Sequence, residues 1–210
     1  IMKIKWHSFW CNKIIAYRDC YDSAIFAGNE NKVFKYPWIQ NLTSDKNINL
    51  ISPKIIKTNK IPLIVHAPSN KLIKGTKYIE KAIKNLKKKG LKFKYKRVEK
   101  KPNHIAHQIY KSADIIVDQL LVGSFGTLAI EGMTYGKPVI SYLLDDIRIK
   151  HCPDCPIYSA NIDNIENRLE TLIKDKNLRI RLGKKGVKFV KKNINNETII
   201  KEMKKIYDKL

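Results

Sequence analysis

The chain has 210 residues, 43% of them hydrophobic, with a formal charge of +23 and a pI of about 9.8. That length suits one domain, or one domain with part of another, and the apolar share is enough for a core. No run of about 18 apolar residues occurs, so no transmembrane helix is expected, and Ile1-Met2-Lys3-Ile4-Lys5-Trp6 leads into no apolar stretch of the kind a signal peptide needs.

The first fifty or so residues read as irregular. Ser23-Ala24-Ile25-Phe26-Ala27-Gly28 and Ile48-Asn49-Leu50-Ile51 have the character of short buried strands, with an aromatic, turn-rich stretch from Phe34 to Trp38 between them. Thr58-Asn59-Lys60 reads as a linker. From Ile61 the pattern is regular. Ile61 to Val65 is an apolar run of strand length. Lys77 to Lys89 carries Ile79, Ala82, Ile83 and Leu86 on one helical face and is stopped by Gly90. Leu91 to Val98 alternates apolar and basic residues, which predicts a half-buried strand near a sheet edge. Asn103 to Lys111 predicts a short helix with Ile105, Ile109 and Tyr110 inward and Asn103 as its cap. Asp114 to Val117 reads as a strand, Thr127 to Tyr135 as a helix and Pro138 to Tyr142 as a strand. After Tyr158 the pattern is helical, with one stripe through Ile162, Ile165, Leu169, Leu172 and Ile173. Leu178, Leu182, Phe189 and Val190 belong to the next helix, and Ile199, Met203, Ile206, Tyr207 and Leu210 to the last. Strand and helix thus alternate four times with short connections. The expected fold class is α/β, a Rossmann-like parallel sheet with helices on both faces and ligands at the carboxyl ends of its strands.

The positive charge raises the question of a nucleic acid or an anionic membrane as partner. From Lys74 to Lys101 there are thirteen Lys or Arg and two Glu, mainly on the polar face of one helix and on the next strand. From Ala106 to Ile147 the balance reverses, with Lys111 and Lys137 against Asp114, Asp118, Glu131, Asp145 and Asp146. No arginine-rich or aromatic-basic RNA signature stands out, so no nucleic acid is expected, and a peripheral contact with acidic lipid is the weaker expectation. Cys152 and Cys155 have the spacing of a metal knuckle or redox pair, but Cys11 and Cys20 complete no common zinc pattern. The plainer reading is reduced, partly buried thiols in a cytoplasmic protein.

The most informative stretch follows the strand at Asp114. Gly123-Ser124-Phe125-Gly126-Thr127-Leu128 is a glycine-rich turn that opens a helix, and the amides of Gly126, Thr127 and Leu128 with the helix dipole form a candidate phosphate site. Glu131, one turn further on, repels phosphate but can accept from the paired hydroxyls of a ribose. Phosphate at the tip and a diol behind it suit a nucleoside diphosphate sugar. A second loop, His66-Ala67-Pro68-Ser69-Asn70-Lys71-Leu72-Ile73-Lys74-Gly75-Thr76, leaves the carboxyl end of the strand at Ile61, where Lys74 can neutralise a diphosphate. The plain alternatives are a strand-turn-helix corner with an exposed Glu, and one more solvated lysine. Asp145-Asp146 is no Asp-x-Asp triplet and reads as a helix start.

Together these two stretches resemble the C-terminal, donor-binding domain of retaining GT-B glycosyltransferases of the family-4 type. Ala113 to Leu120, Glu131-Gly132-Met133 and Tyr135-Gly136-Lys137-Pro138-Val139 are similar to its donor block, and Leu182-Gly183-Lys184-Lys185-Gly186 to its late helical segment. The resemblance implies that Lys74, Gly126, Thr127 and Leu128 bind the donor diphosphate. It implies that Gly123, Ser124 and Phe125 meet the sugar, Glu131 the ribose, and Val98 and Glu99 the base, with His66, Ser69 and Asn70 as further loop contacts. Two positions depart from the family. Gly123 stands where it usually has an acidic residue, and Ser69 where it often has an Arg. The resemblance also divides the chain into 1–57, a remnant of an acceptor-binding N-terminal domain and linker; 58–192, the nucleotide-sugar domain; and 193–210, a helix crossing back. Catalytic residues would then lie in the missing domain, and the start on Ile1 agrees with a fragment. The expected activity is sugar transfer from a nucleoside diphosphate sugar to an acceptor glycan or lipid-linked sugar, with no cofactor or metal, in cell-envelope polysaccharide biosynthesis at the inner face of the membrane. The competing readings are a non-catalytic module that binds a nucleotide sugar or phospho-ligand and, behind it, a nucleic-acid-binding protein.

Overall fold

The structure, a computed structural model, describes residues 14–17, 33–36, 56, 58–194 and 196–208. The chain divides into two compact units, Ile1–Ser44 with Lys192–Leu210, and Asp45–Lys191. In the first, β1 (Ile14–Tyr17) pairs in parallel with β2 (Val33–Tyr36), Ile14 opposite Val33. Val33-Phe34-Lys35-Tyr36 is therefore a strand where the sequence reads as turn-rich. Its β-branched and aromatic residues suit a pleated surface better than a turn. The expected strands at Ser23 and Ile48 lie outside the described residues. The terminal helix of this unit spans Asn196–Tyr207.

The second unit is a parallel sheet as the sequence predicts, with five strands where four are expected. They are β3 (Leu63–His66), β4 (Lys94–Arg97), β5 (Ile115–Val117), β6 (Val139–Ser141) and β7 (Tyr158–Ser159), in the order β4-β3-β5-β6-β7. Its helices are α1 (Lys71–Lys74), α2 (Thr76–Lys88), α3 (Asn103–Ser112), α4 (Thr127–Thr134), α5 (Asp145–His151), α6 (Ile165–Lys174) and α7 (Lys176–Asn193), so the terminal helix is α8. On one face, Ile64, Ile115, Val117 and Ile140 meet Ile79, Ile83 and Leu86 of α2 and Leu169 and Leu172 of α6. On the other, α4 lies over Ile116 and Val139. Every buried strand residue thus serves one of two covered faces, which is why these strands read as apolar runs rather than alternations. The edge strand β4 is the exception, with Lys94, Lys96 and Arg97 exposed. The α2 lysines 77, 81, 84, 87 and 88 are exposed as well, a solvated face. Among the described residues no helix is long and apolar enough to cross a membrane.

Three local expectations change. Asn103 is the first helical residue of α3, and Pro102 precedes it as cap at φ −53, ψ 146, the φ being set by its ring. Ile162 is 41% exposed, because Asn161 accepts from the amides of Asp163 and Asn164 at 3.0 and 3.2 Å and makes a turn before α6 begins. The short strand β7 lies where only helix is expected. It escapes notice because two residues carry no period.

Thr58-Asn59-Lys60 is more than a linker. Asp114, almost fully buried, accepts from the Asn59 amide at 2.7 Å, the Asn59 side chain at 2.7 Å and the Leu63 amide at 2.8 Å. One carboxylate thereby fixes the entry to β3 against the start of β5. Asp114→Ala strands these donors and is expected to cost about 2–3 kcal/mol, read as a lower urea midpoint at unchanged slope.

Candidate functional site

In this strand order the connection reverses direction between β3 and β5, and the crevice beyond their carboxyl ends is where such sheets collect ligands. Both loops singled out from the sequence leave these two strands.

The first loop is held from within. His66 ends β3 fully buried, with Nδ1 2.8 Å from the Val117 carbonyl and Nε2 2.9 Å from the Thr76 hydroxyl. The carbonyl can only accept, so Nδ1 carries the proton. Burial holds the imidazole below its usual pKa, so Nε2 is a lone pair that accepts from Thr76. His66 therefore ties β3, β5 and the start of α2 together. Asn70 caps α1, its Oδ1 accepting from the amides of Leu72 and Ile73 at 2.9 and 3.1 Å. Ser69 is exposed at the loop surface. The α1 turn aims Lys74 across the crevice, and the Leu120 amide donates to the Lys74 carbonyl at 3.3 Å.

The second loop begins at Asp118, whose side chain is fully buried. Its Oδ1 accepts from Lys74 Nζ at 2.7 Å, and its Oδ2 accepts from the Gly126 amide at 2.6 Å. Lys74 and the tip of α4, 44 residues apart from Asp118 and eight beyond it respectively, meet through this one carboxylate. A Cβ on Gly126 would sit 3.0 Å from Lys74 Nζ, so any side chain there would crowd the ion pair. The Gln119 side chain donates to the Ser124 carbonyl, and the Tyr142 amide donates to the Gln119 carbonyl at 2.7 Å. Gly123 lies at φ +77, and a Cβ there would meet Leu144 at 2.7 Å. The left-handed backbone at position 123 is strained for any residue with a Cβ, so it favours the glycine that stands where the family usually has an acidic residue. Ser124 and Phe125 are buried in the turn. Thr127 is exposed, and the amides of Thr127 and Leu128, in the first turn of α4, have no acceptor among the described residues.

Glu131 sits one turn along α4, its side chain 18% exposed and 3.7 Å from Nε2 of the buried His107. His107 Nδ1 in turn lies 2.7 Å from the Tyr135 hydroxyl. Burial, helped by the negative charge of Asp118, pushes the Glu131 carboxyl up to about 7. Its folded pKa lies above its unfolded value, so its contribution to stability is complete below the ordinary Glu pKa and is lost as pH rises through about 7. Urea unfolding at about pH 5 and about pH 8 should therefore show a smaller loss for Glu131→Gln than for the wild type.

On the β4 side, Val98 is buried and its amide donates to the His66 carbonyl at 2.9 Å. The Glu99 carboxylate reaches Lys71 at 3.2 Å and Arg97 at 3.0 Å, joining the end of β4 to α1. The crevice therefore gathers Lys74 from the end of α1 with Gly126, Thr127 and Glu131 of α4 and its cap, while Val98 and Glu99 follow β4 at its border. Asp118 and His107 are the members that motif reading passes over. The signal for Asp118 was a carboxylate directly after an apolar strand and before a glycine-rich turn.

Away from the crevice, Cys152 and Cys155 are buried thiols in a turn held by Arg148, which donates to the carbonyls of Cys155 at 2.5 Å and Ile157 at 3.0 Å. Among the described residues no group of three or more His, Cys, Asp or Glu is placed to hold a metal.

Parallel strands in this order, with helices around them, give the chain the Rossmann-like architecture of GT-B glycosyltransferases. TarM of S. aureus, solved as a point mutant with fondaparinux, alpha-GlcNAc-glycerol and UDP, matches at a TM-score of 0.76 and 12% identity over 98% of this chain and 46% of its own. Anabaena HepE in complex with UDP-glucose matches at 0.67 and 15% over 95% of this chain and 64% of its own. Sucrose-phosphate synthase from Thermosynechococcus elongatus matches at 0.68 and 16% over 99% of this chain and 61% of its own. The chain thus spans about half to two thirds of the length of these proteins. No family model and no curated protein matches the sequence.

Proposed function

We propose that the chain is the donor-binding part of a retaining GT-B glycosyltransferase of the family-4 type, which moves a hexose-type sugar from a nucleoside diphosphate sugar to an acceptor glycan or lipid-linked sugar. The observation that carries this reading is the convergence of Lys74 and the α4 tip at the switch point, with Glu131 one turn behind. Departure of the nucleoside diphosphate builds negative charge on the leaving phosphate. The Thr127 and Leu128 amides, the α4 dipole and the Lys74 ammonium are arranged to stabilise it. Ionised Glu131 accepts from both ribose hydroxyls, so donor affinity should rise between about pH 6 and about pH 8, a slope that Glu131→Gln removes in calorimetric titrations. Val98 and Glu99 border the place for the base, and Gly123 to Phe125 the place for the sugar. Uridine is the first base to test, because two of the similar structures hold UDP or UDP-glucose. Residues 1–57 and 193–210 belong with an acceptor-binding domain in this reading, which also supplies catalytic groups. The charge of +23, with exposed lysines on α2, suits work against the anionic inner face of a membrane.

The test is calorimetry of UDP-glucose, ADP-glucose and GDP-mannose against the full gene product, paired with a transfer assay on lipid-linked and polysaccharide acceptors. Failure of every nucleotide to bind removes the reading. One observation favours a second reading: Gly123 leaves no acidic side chain to read sugar hydroxyls. A binding module predicts nucleotide-sugar binding with neither transfer nor hydrolysis.

A further inference from the structure

We infer that Asp118 is a positioning residue for Lys74 and the α4 tip, an assignment that rests on the nucleotide-sugar reading of the crevice. Three features carry it. The carboxylate is fully buried, yet both its oxygens are used on the two groups proposed to meet the diphosphate, Lys74 Nζ at 2.7 Å and the Gly126 amide at 2.6 Å. The lysine side chain is 14% exposed, so its head lies at the crevice wall rather than in bulk water. Position 126 has no Cβ, which would come within 3.3 Å of Asp118 Oδ2 as well as 3.0 Å of Nζ.

An ammonium has three hydrogens. Asp118 takes one and leaves two for phosphate oxygens beside the amides of Thr127 and Leu128, which have no acceptor among the described residues. A four-carbon stem without this anchor moves through many rotamers, and a bound diphosphate would have to order it. Protein kinases use the same device, a Glu that must pair with the phosphate-binding lysine for that lysine to act. Like-charge repulsion between Asp118 and the incoming phosphate works in the opposite direction, but the carboxylate is already paired with the Lys74 ammonium at 2.7 Å, so the anchoring effect is expected to win.

Asp118→Asn keeps the shape and removes the charge. UDP titrated into the full chain should bind about 10-fold more weakly to this variant than to the wild type, as loss of one charge-assisted contact implies. In a Lys74→Met background the same substitution should no longer weaken binding, measured at a temperature where both proteins are folded. Unchanged or tighter UDP binding by Asp118→Asn overturns the assignment. So does a loss of equal size in the Lys74→Met background, which marks a purely structural carboxylate. Should Asp118→Asn fail to fold, a crystal structure of the wild type with UDP decides. Nζ bridging Asp118 and a phosphate oxygen supports the role, and Nζ swung away from Asp118 removes it. A wild-type chain that binds no UDP, or any other nucleotide offered, overturns both the functional reading and this one, whereas wild-type binding with an indifferent Asp118→Asn overturns this one alone.

Discussion

Lys74→Met is expected to weaken nucleoside diphosphate binding by about 10- to 100-fold and to lower stability by about 3 kcal/mol at the same time. The binding loss follows from the ammonium's place at the α4 tip, where no other cation of the two loops is held by a buried partner. The stability loss follows from what stays behind. Asp118 is fully buried and keeps only the Gly126 amide when its lysine is gone. A buried carboxylate without its cation is costly, whereas a lysine without its carboxylate can bend toward water. The two single variants should therefore be unequal in stability, Lys74→Met worse than Asp118→Asn, and the double variant should regain part of what Lys74→Met loses. Thermal melts of the four proteins, with and without UDP, measure both effects. Full stability in Lys74→Met would mean that the pair does not hold in solution.

Gly183→Ala should unfold most of the chain at temperatures the wild type withstands. In α7, Gly183 lies against the turn at Gly136, and an added Cβ would sit 2.0 Å from the Gly136 carbonyl oxygen and 2.9 Å from its carbon. Both are backbone atoms, so no rotamer change relieves the clash. The helix must lift off the turn, and Ile56, 3.3 Å from the same Cβ, is crowded as well. Separation of packed elements costs about 3 kcal/mol or more, at or beyond the upper end of the usual overpacking range. The check is the melting temperature by circular dichroism. A shift of less than a few degrees would show that α7 adjusts where the packing implies it cannot.

The sheet and the place of the crevice were legible because both rest on periodic signals. Apolar runs at Ile61, Asp114 and Pro138, separated by the amphipathic pattern of α2 and the glycine-rich turn, leave little choice but parallel strands with crossovers. The alternation of Leu91 to Val98 marks an edge strand, and β4 stands at the edge of the sheet. Short elements were hidden for the opposite reason. α1 has four residues and β7 two, too few for a period, and both depend on tertiary contacts. Individual side chains in the crevice were the least legible. His66 looks like a ligand contact in the sequence, but both its ring nitrogens are engaged inside the fold. Asp118 looks like the end of a strand, but its carboxylate joins the two loops. Sequence order carries the spacing of such groups but not which donor each oxygen meets, because those donors come from 44 residues before and eight after.

The edge strand β4 has a bearing on how the chain behaves in a crowded solution. A free strand flank is a template on which a second copy can add, and extended stacking begins there. Here the flank presents Lys94, Lys96 and Arg97, so an incoming copy in register would bring cation against cation at successive rungs. At the far flank, β7 offers only two residues, too short a platform to hold a guest strand. Both margins of the sheet thus discourage fibrous self-addition. High concentration at moderate salt should leave the protein monodisperse by light scattering, and concentrated salt, which screens the lysines, should bring on its first association.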